Sequence, residues 1–87
     1  MKSRQYDKAV ECYTEGLNID KDNFVLYSNR SAAYLSAEKI DEAYADAVKC
    51  ISLNPLWPKG YCRKGAAEQL KGDFQSAVNT YNEGSPW

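Results

Sequence analysis

The chain has 87 residues, enough for one small domain, and its composition is ordinary for a globular protein: 44% hydrophobic, 26% charged and 13% aromatic. Its formal net charge of −1 provides no field that would attract nucleic acid or a membrane surface, and no apolar run reaches the length of a membrane span. Because the chain has no histidine, it lacks the commonest general base at neutral pH. We therefore expect no catalytic residues, no cofactor and a binding function.

The cysteine content favours a reducing compartment. Cys12, Cys50 and Cys62 are an odd number and form no C-x-x-C pair, so we expect reduced, partly buried thiols in the cytoplasm or nucleus. A metal site would need a further soft ligand, which a chain without histidine does not offer. Residues 1–5 lack the apolar run of a secretory signal.

Apolar residues recur at three- and four-residue steps, the spacing of amphipathic helices. This pattern predicts five helices with short connections, and no alternating run predicts a strand. Asp7 and Asp41 stand where an N-cap carboxylate would accept free amides. Pro55 ends the third helix, because the residue before a proline is disfavoured in helical conformation. The predicted spans are 7–18, 24–37, 41–53, 58–70 and 73–82.

The sequence repeats itself at a shift of 34 residues. Ala9, Ala43 and Ala77 coincide, each three residues after an apolar residue, and a second block aligns Tyr27 with Tyr61. Alanine at a helix crossing lets two helices approach closely, and an aromatic side chain opposite fills the remaining gap. The spacing therefore favours a stack of helical hairpins over an irregular bundle, which would not need identical spacing.

These residues resemble the tetratricopeptide-repeat (TPR) family, whose 34-residue repeat carries an alanine–aromatic signature and a late proline. The resemblance implies an all-α, right-handed superhelical stack of antiparallel helical hairpins. Residues 24–57 fit a complete repeat, and residues 58–87 fit a shortened third repeat that departs at Glu68, where an aromatic is usual. Residues 1–23 fit the second helix of a first repeat whose first helix is missing. The signature positions of the complete repeat hold Tyr27, Tyr34, Ala43 and Pro55.

Two segments are similar to the TPR domains of co-chaperones, including the first TPR domain of the heat-shock organising protein. They are residues 26–34, LYSNRSAAY, and residues 57–64, WPKGYCRK. The resemblance implies a cytoplasmic protein–protein interaction module with a two-carboxylate clamp. That clamp grips the acidic C-terminal tail, Glu-Glu-Val-Asp, of seventy- and ninety-kilodalton heat-shock chaperones.

Three of the five clamp residues of that family map onto Asn29, Lys59 and Arg63 of this chain. The other two, a lysine and an asparagine, belong to the first helix that we expect to be missing, so we expect weakened binding. The chemistry is consistent with this assignment, because Lys59 and Arg63 are four residues apart and share a helix face. Asn29 has the same repeat position as Arg63. Arginine offers a planar fork, lysine a compact charge and asparagine an amide donor to a C-terminal aspartate.

Other interpretations of these residues stay open. A lysine and an arginine at this spacing are common on a solvated helix face. The chain could also be a TPR scaffold that packs a different partner helix or internal segment, or a truncated structural fragment without binding of its own. Close helix packing explains the alanines of the groove equally well. The candidates for lining the groove are Ala32, Ala33, Ala66 and Cys62.

The missing first helix predicts an uncovered surface near the N-terminus. Large side chains left half exposed forgo roughly 1.5–3 kcal/mol apiece, which is comparable with the whole stability of a small domain. We therefore expect marginal stability, or self-association of two copies through this surface. We expect some of the following residues to lose cover: Val10, Tyr13, Leu17 and Tyr27.

Overall fold

The structure, a computed structural model, describes residues 2–84, with side chains from residue 5 onward. This part of the chain forms five α-helices and no strand, which confirms the sequence-based prediction. The first helix begins earlier than predicted, and residues 85–87 at the end of the expected third repeat lie outside the described range. The helices are α1 Lys2–Ile19, α2 Phe24–Ser36, α3 Ile40–Leu53, α4 Pro58–Leu70 and α5 Phe74–Glu83.

Each helix packs against the next one along the chain, and α2 also contacts α4. The Cα atoms span 35 × 28 × 15 Å. The smallest dimension fits two layers of helices, since packed helix axes lie about 8–10 Å apart. Short connections reverse the chain between successive helices, so α2 and α4 become neighbours in one layer.

Small side chains form the buried core, as the repeated alanines predict. Ala43 and Ala77 are 0% and 3% exposed. At another crossing, a Cβ atom added to Gly65 would lie 2.6 Å from Cζ of Tyr81. The tyrosine ring therefore occupies the space that the missing side chain leaves, and α4 and α5 approach closely. The largest fully buried side chains are Cys50, Ser28 and Ser31.

The predicted N-caps at Asp7 and Asp41 are wrong. Asp7 lies inside α1, and α3 begins before Asp41, with Lys39 as an N-cap residue that forms no side-chain capping bond. Asp41 stands in the first turn of α3, where a carboxylate still interacts favourably with the helix dipole. Side-chain caps occur instead at Asn23 and Asp73, each of which accepts from the backbone amide three residues later.

The Arg30 guanidinium group joins three helices. Its Nε and Nη2 atoms donate to Asp46 Oδ2 and Oδ1 at 2.7 and 2.8 Å, and Nη1 donates to Thr14 Oγ1 at 3.0 Å. It also lies over the rings of Tyr27 and Tyr34, 5.6 and 5.9 Å from their centroids. The hydrogen bond to Asp46 raises the pKa of Arg30 above its usual value, which keeps the guanidinium charged. This group therefore links α1, α2 and α3 by charge-assisted bonds.

The expected bare surface on α1 is only partly present. Leu17 is buried with 7% exposure, while Val10, Tyr13 and Tyr27 are half-buried. A more exposed apolar stripe runs along α5, at the i, i+4, i+7 spacing of one helix face. Its residues are Phe74, Val78 and Tyr81, which are 63%, 52% and 40% exposed. Self-association stays a prediction, and α5 offers the larger exposed apolar side chains for it.

The cysteines differ from the expectation of partly buried thiols. Cys12 and Cys62 are exposed and Cys50 is buried. Burial raises the pKa of the Cys50 thiol, although the charge of Arg63 opposes the shift, so both access and ionisation disfavour reaction.

We predict that a thiol reagent at neutral pH labels two cysteines rapidly in the native chain and the third only after unfolding. Cys12→Ser and Cys62→Ser should each remove one rapid equivalent, as measured by absorbance of the released chromophore. Rapid labelling of all three in the native chain would contradict the packing of α3 against α4.

We predict that Asp46→Asn lowers the free energy of unfolding by about 2–4 kcal/mol, because it leaves the Arg30 charge without its partner in a site that is only 18% exposed. Asp41→Asn is the matched control, since it breaks the exposed ion pair with Lys71, whose Nζ lies 2.8 Å from Asp41 Oδ1. The control should lower the urea midpoint much less, because an exposed ion pair and a carboxylate in the first helical turn each contribute at most about 1 kcal/mol. Equal effects of the two substitutions in urea unfolding would contradict a structural role of the buried pair.

Candidate functional site

α2 and α4 lie side by side and run in the same direction. At their N-terminal ends the rings of Phe24 and Trp57 meet edge to face, with centroids 5.0 Å apart and an interplanar angle of 70°. About one turn further along, Arg63 Nε donates to Ser28 Oγ at 3.4 Å. Both contacts join residues at similar distances from the helix starts, so the two helices share one continuous boundary. We call this boundary, marked by these four residues, the α2–α4 seam.

Two of the three residues predicted to bind carboxylates, Arg63 and Lys59, make contacts at this seam. Arg63 is half-buried and reaches across the seam from α4 to α2. Lys59 is exposed one turn earlier on α4, with its Nζ 5.8 Å from the centroid of the Trp57 ring. Asn29 is half-buried on α2, directly after Ser28, the residue that Arg63 contacts.

The start of α4 explains the position of Lys59. Pro58 occupies the first helical turn, where its fixed φ suits the helix and its missing amide is not needed. Gly60 is buried, and a Cβ atom there would lie 2.9 Å from Ile51 Cγ1 and 3.1 Å from Cys50 Sγ. Glycine therefore allows α4 to approach α3 closely, and Lys59 stands at the edge of this contact.

The surface charge of α4 is basic. Lys59, Arg63 and Lys64 are its cationic residues, and Glu68 is its one acidic residue. Glu68 is buried, 7% exposed, and its Oε1 accepts a hydrogen bond from Thr80 Oγ1. The buried carboxylate is turned into the α4–α5 contact, so it adds little to the solvent-facing charge. Lys59 and Arg63 are one turn apart on α4, so the side of α4 at the seam is positive, which suits an acidic ligand.

The predicted groove residues differ in how much surface they offer. Ala32 and Ala66 are half-buried, while Ala33 is 8% exposed and packs inside the stack. Ala33 is therefore a core residue rather than a lining residue. Cys62 is exposed.

Sequence reasoning missed the polar contacts inside the stack. Ser28, the partner of Arg63, is 0% exposed, and a serine in a helix gives no sign of such a role. Asp46 coincides with Thr80 at the 34-residue shift, and both prove to be buried polar residues with side-chain partners. Polar residues at matching inward positions of two repeats are the signal that could have revealed them.

A profile of the tetratricopeptide repeat matches residues 1–23 and 25–55. These segments carry Ala9, Ala43 and the late Pro55 of the 34-residue register. The chain belongs to the tetratricopeptide-repeat (TPR) family. Its all-helical stack is the TPR fold, which confirms the fold class predicted from the sequence. TPR proteins form a family of protein-interaction modules.

Relatives and solved structures support the likeness to co-chaperones. Heat shock protein STI1 of Saccharomyces cerevisiae is 44% identical over 82 residues, which cover 93% of this chain and 14% of that protein. The first TPR of Spaghetti (RPAP3), bound to the HSP90 peptide SRMEEVD, matches with a TM-score of 0.88 at 35% identity, covering 95% of this chain and 68% of that one. The TPR2B domain of yeast Sti1 in complex with pHsp70 matches at 0.89 and 31%, covering 93% and 65%. The resemblance to co-chaperone TPR domains is confirmed.

The chain thus spans a small part of the curated relative, 14% of its length, and about two thirds of the solved TPR domains. Among residues 2–84, no helix combines the length and the apolar character needed to cross a membrane. Within the same range, no group of three or more His, Cys, Asp or Glu side chains is placed to hold a metal ion.

Proposed function

We propose that this chain is a cytoplasmic, non-catalytic module that binds the acidic C-terminal tail of seventy- or ninety-kilodalton heat-shock chaperones. Asn29, Lys59 and Arg63 supply the part of a two-carboxylate clamp that this chain carries. The observation that carries the proposal is the Arg63–Ser28 hydrogen bond, because it ties a cation of α4 to α2 at the residue before Asn29. Donors from two helices can then reach one ligand.

The chemistry of the ligand supports this assignment. A C-terminal aspartate has two carboxylates on one residue, and its receptor needs several convergent donors. Arg63 offers a fork of N–H groups, Lys59 a compact charge and Asn29 an amide. The solved TPR domains of RPAP3 and Sti1 that this chain resembles are bound to HSP90 and Hsp70 peptides, and SRMEEVD ends in such an aspartate.

The positions of Arg63 and Lys59 are partly fixed before a ligand arrives. Arg63 is half-buried and hydrogen-bonded, so less side-chain entropy is lost when it binds. Lys59 lies over the Trp57 ring, an interaction that contributes roughly 0.5–1 kcal/mol at an exposed site. The Phe24 ring in turn supports Trp57 from α2. We infer that these aromatic contacts hold Lys59 at the seam.

We also propose a division into three repeats, with a partial first repeat at 1–23, a complete second at 24–57 and a shortened third at 58–87. Each of the last two begins with a helix that lies at the seam, α2 or α4. In this arrangement the second repeat contributes Asn29, and the third contributes Lys59 and Arg63. The carboxylate site therefore needs both repeats.

We predict that the peptide SRMEEVD binds this chain no tighter than tens of micromolar, and that Lys59→Ala or Arg63→Ala abolishes the binding. Each charge-assisted contact contributes roughly 1.5–3 kcal/mol, so each loss should cost about tenfold or more in affinity. Calorimetric titration measures the effect. Lys64→Ala is the matched control, because it removes the same charge from the residue next to Arg63. Lys64 has the same repeat position as Arg30, whose side chain faces α1 and α3 and not the seam. Unchanged affinity in both clamp variants would refute the assignment.

We predict that amidation of the peptide's C-terminus, or about 0.5 M salt, weakens the binding strongly, because the clamp recognises free carboxylates through Lys59 and Arg63 and salt screens these charge interactions. Fluorescence anisotropy with free and amidated labelled peptides measures the difference. A TPR scaffold that packs an internal segment or a helix would bind both forms equally. Equal affinities for the two peptides would therefore favour that alternative.

A further inference from the structure

A cavity of about 400 Å³ lies where α1, α2 and α3 meet, and no described residue of α4 or α5 lines it. This volume falls within the range of about 300–1,000 Å³ that small-molecule sites occupy. Residues of three helices and of the loop after α1 line it, so it belongs to the stack as a whole. Six of its lining residues carry charged or hydroxyl groups: Thr14, Lys21, Asp22, Tyr27, Arg30 and Lys49.

Arg30 gives this cavity a donor that is fixed in place. A guanidinium group has five N–H donors, and three of them are engaged by Asp46 and Thr14. The remaining two have no acceptor among residues 5–84, the part whose side chains the structure describes. The rings of Tyr27 and Tyr34 further restrict the group. An anion in the cavity would therefore meet a donor that needs no reorganisation.

The charge of the cavity lining is positive although the whole chain has a formal charge of −1. Three cations line the cavity: Lys21 of the loop after α1, Arg30 of α2 and Lys49 of α3. The lining has one carboxylate, that of Asp22. Asp46 compensates part of the Arg30 charge from outside the lining. Lys21 and Lys49 are exposed and have no ion-pair partner among the described residues. They can turn toward a ligand at the cavity mouth.

This cavity is separate from the α2–α4 seam. Consecutive residues of an α-helix point about 100° apart, since one turn takes 3.6 residues. Ser28 contacts Arg63 of α4, whereas Arg30 contacts α1 and α3. A ligand in the cavity would thus leave Lys59 and Arg63 untouched.

We propose that this cavity is a second binding site, which takes a small oxyanion group, a carboxylate or a phosphate. Arg30 is its central donor, with Lys21 and Lys49 at the mouth and the Thr14 hydroxyl beside the guanidinium. Planar and tetrahedral oxyanions both suit an arginine fork flanked by lysines. The group is either a free anion or an acidic or phosphorylated side chain of a partner protein.

The test is a nitrogen-15 NMR titration of the 87-residue chain with inorganic phosphate and with blocked phosphoserine, against sodium chloride at equal ionic strength. We expect saturable shifts at the amides of Lys21 and Lys49 and at Arg30 Nε. Tighter binding of phosphoserine than of phosphate identifies a partner's side chain as the source. Equal or weaker binding identifies a free anion.

Lys21→Ala and Lys49→Ala should each weaken the binding by about three- to fivefold, as the loss of an exposed ionic contact does. Lys8→Ala, which removes an exposed charge of α1 outside the cavity lining, is the matched control and should change nothing. Arg30 is kept because its substitution would break the link between three helices. The proposal is overturned if sodium chloride reproduces the shifts or if both lysine variants retain them. It is also overturned if the shifts centre on Lys59 and Arg63. The last outcome leaves the peptide clamp intact, so the two proposals fail independently.

Discussion

Arg30 lies where α1, α2 and α3 meet, and its guanidinium bonds to Thr14 of α1 and Asp46 of α3. The stack depends on this contact because its fully buried side chains are small. An alanine removes far less apolar area from water than a leucine or phenylalanine, whose burial contributes about 1.5–3 kcal/mol. With Ala43 and Ala47 in the centre, the hydrophobic gain per residue is low. A bidentate, shielded ion pair therefore has a larger share in holding the helices together.

Serine and tyrosine hydroxyls extend this polar support along the stack. Ser31 Oγ donates to the carbonyl oxygen of Ala43 at 2.7 Å, which joins α2 to α3 inside the core. Tyr61 Oη donates to the carbonyl oxygen of Pro55 at 2.9 Å, and so ties α4 to the loop before it. Among the described residues, every buried side-chain nitrogen or oxygen has a partner. A thin core without orphaned polar groups can thus hold the seam in one arrangement.

Much of the fold follows from the sequence, because the 34-residue register predicts how many helices form and which residues lie at the helix crossings. The register identifies Ala43 and Ala77 as helix crossings, and both are buried. It fails where the outcome depends on side-chain direction in space. Aspartate is a common N-cap residue, but Asp7 and Asp41 lie within helices, since α1 and α3 begin before them. Glu68, the departure from the family pattern, is paired with Thr80, a contact that no spacing along the chain reveals.

For the candidate site, too, the sequence predicts the repeat positions of the residues, while their contacts are seen only in the structure. The four-residue spacing predicts that Lys59 and Arg63 share a helix face, but the Arg63–Ser28 bond and the Trp57 ring beside Lys59 appear only in three dimensions. Ala33 follows Ala32 in sequence and is nevertheless a core residue, because one step along a helix rotates a side chain by about 100°.

Because of this rotation, two different sides of α2 carry side chains that bond to other helices. Ser28 is engaged by α4, while Arg30, two residues later, is engaged by α1 and α3 and lines the cavity. Energetic coupling between two sites requires an element with two alternative arrangements that both ligands bias. α2 is held from both sides by hydrogen bonds that would have to break together for it to move. The seam and the cavity are therefore expected to bind their ligands independently, although they share one helix.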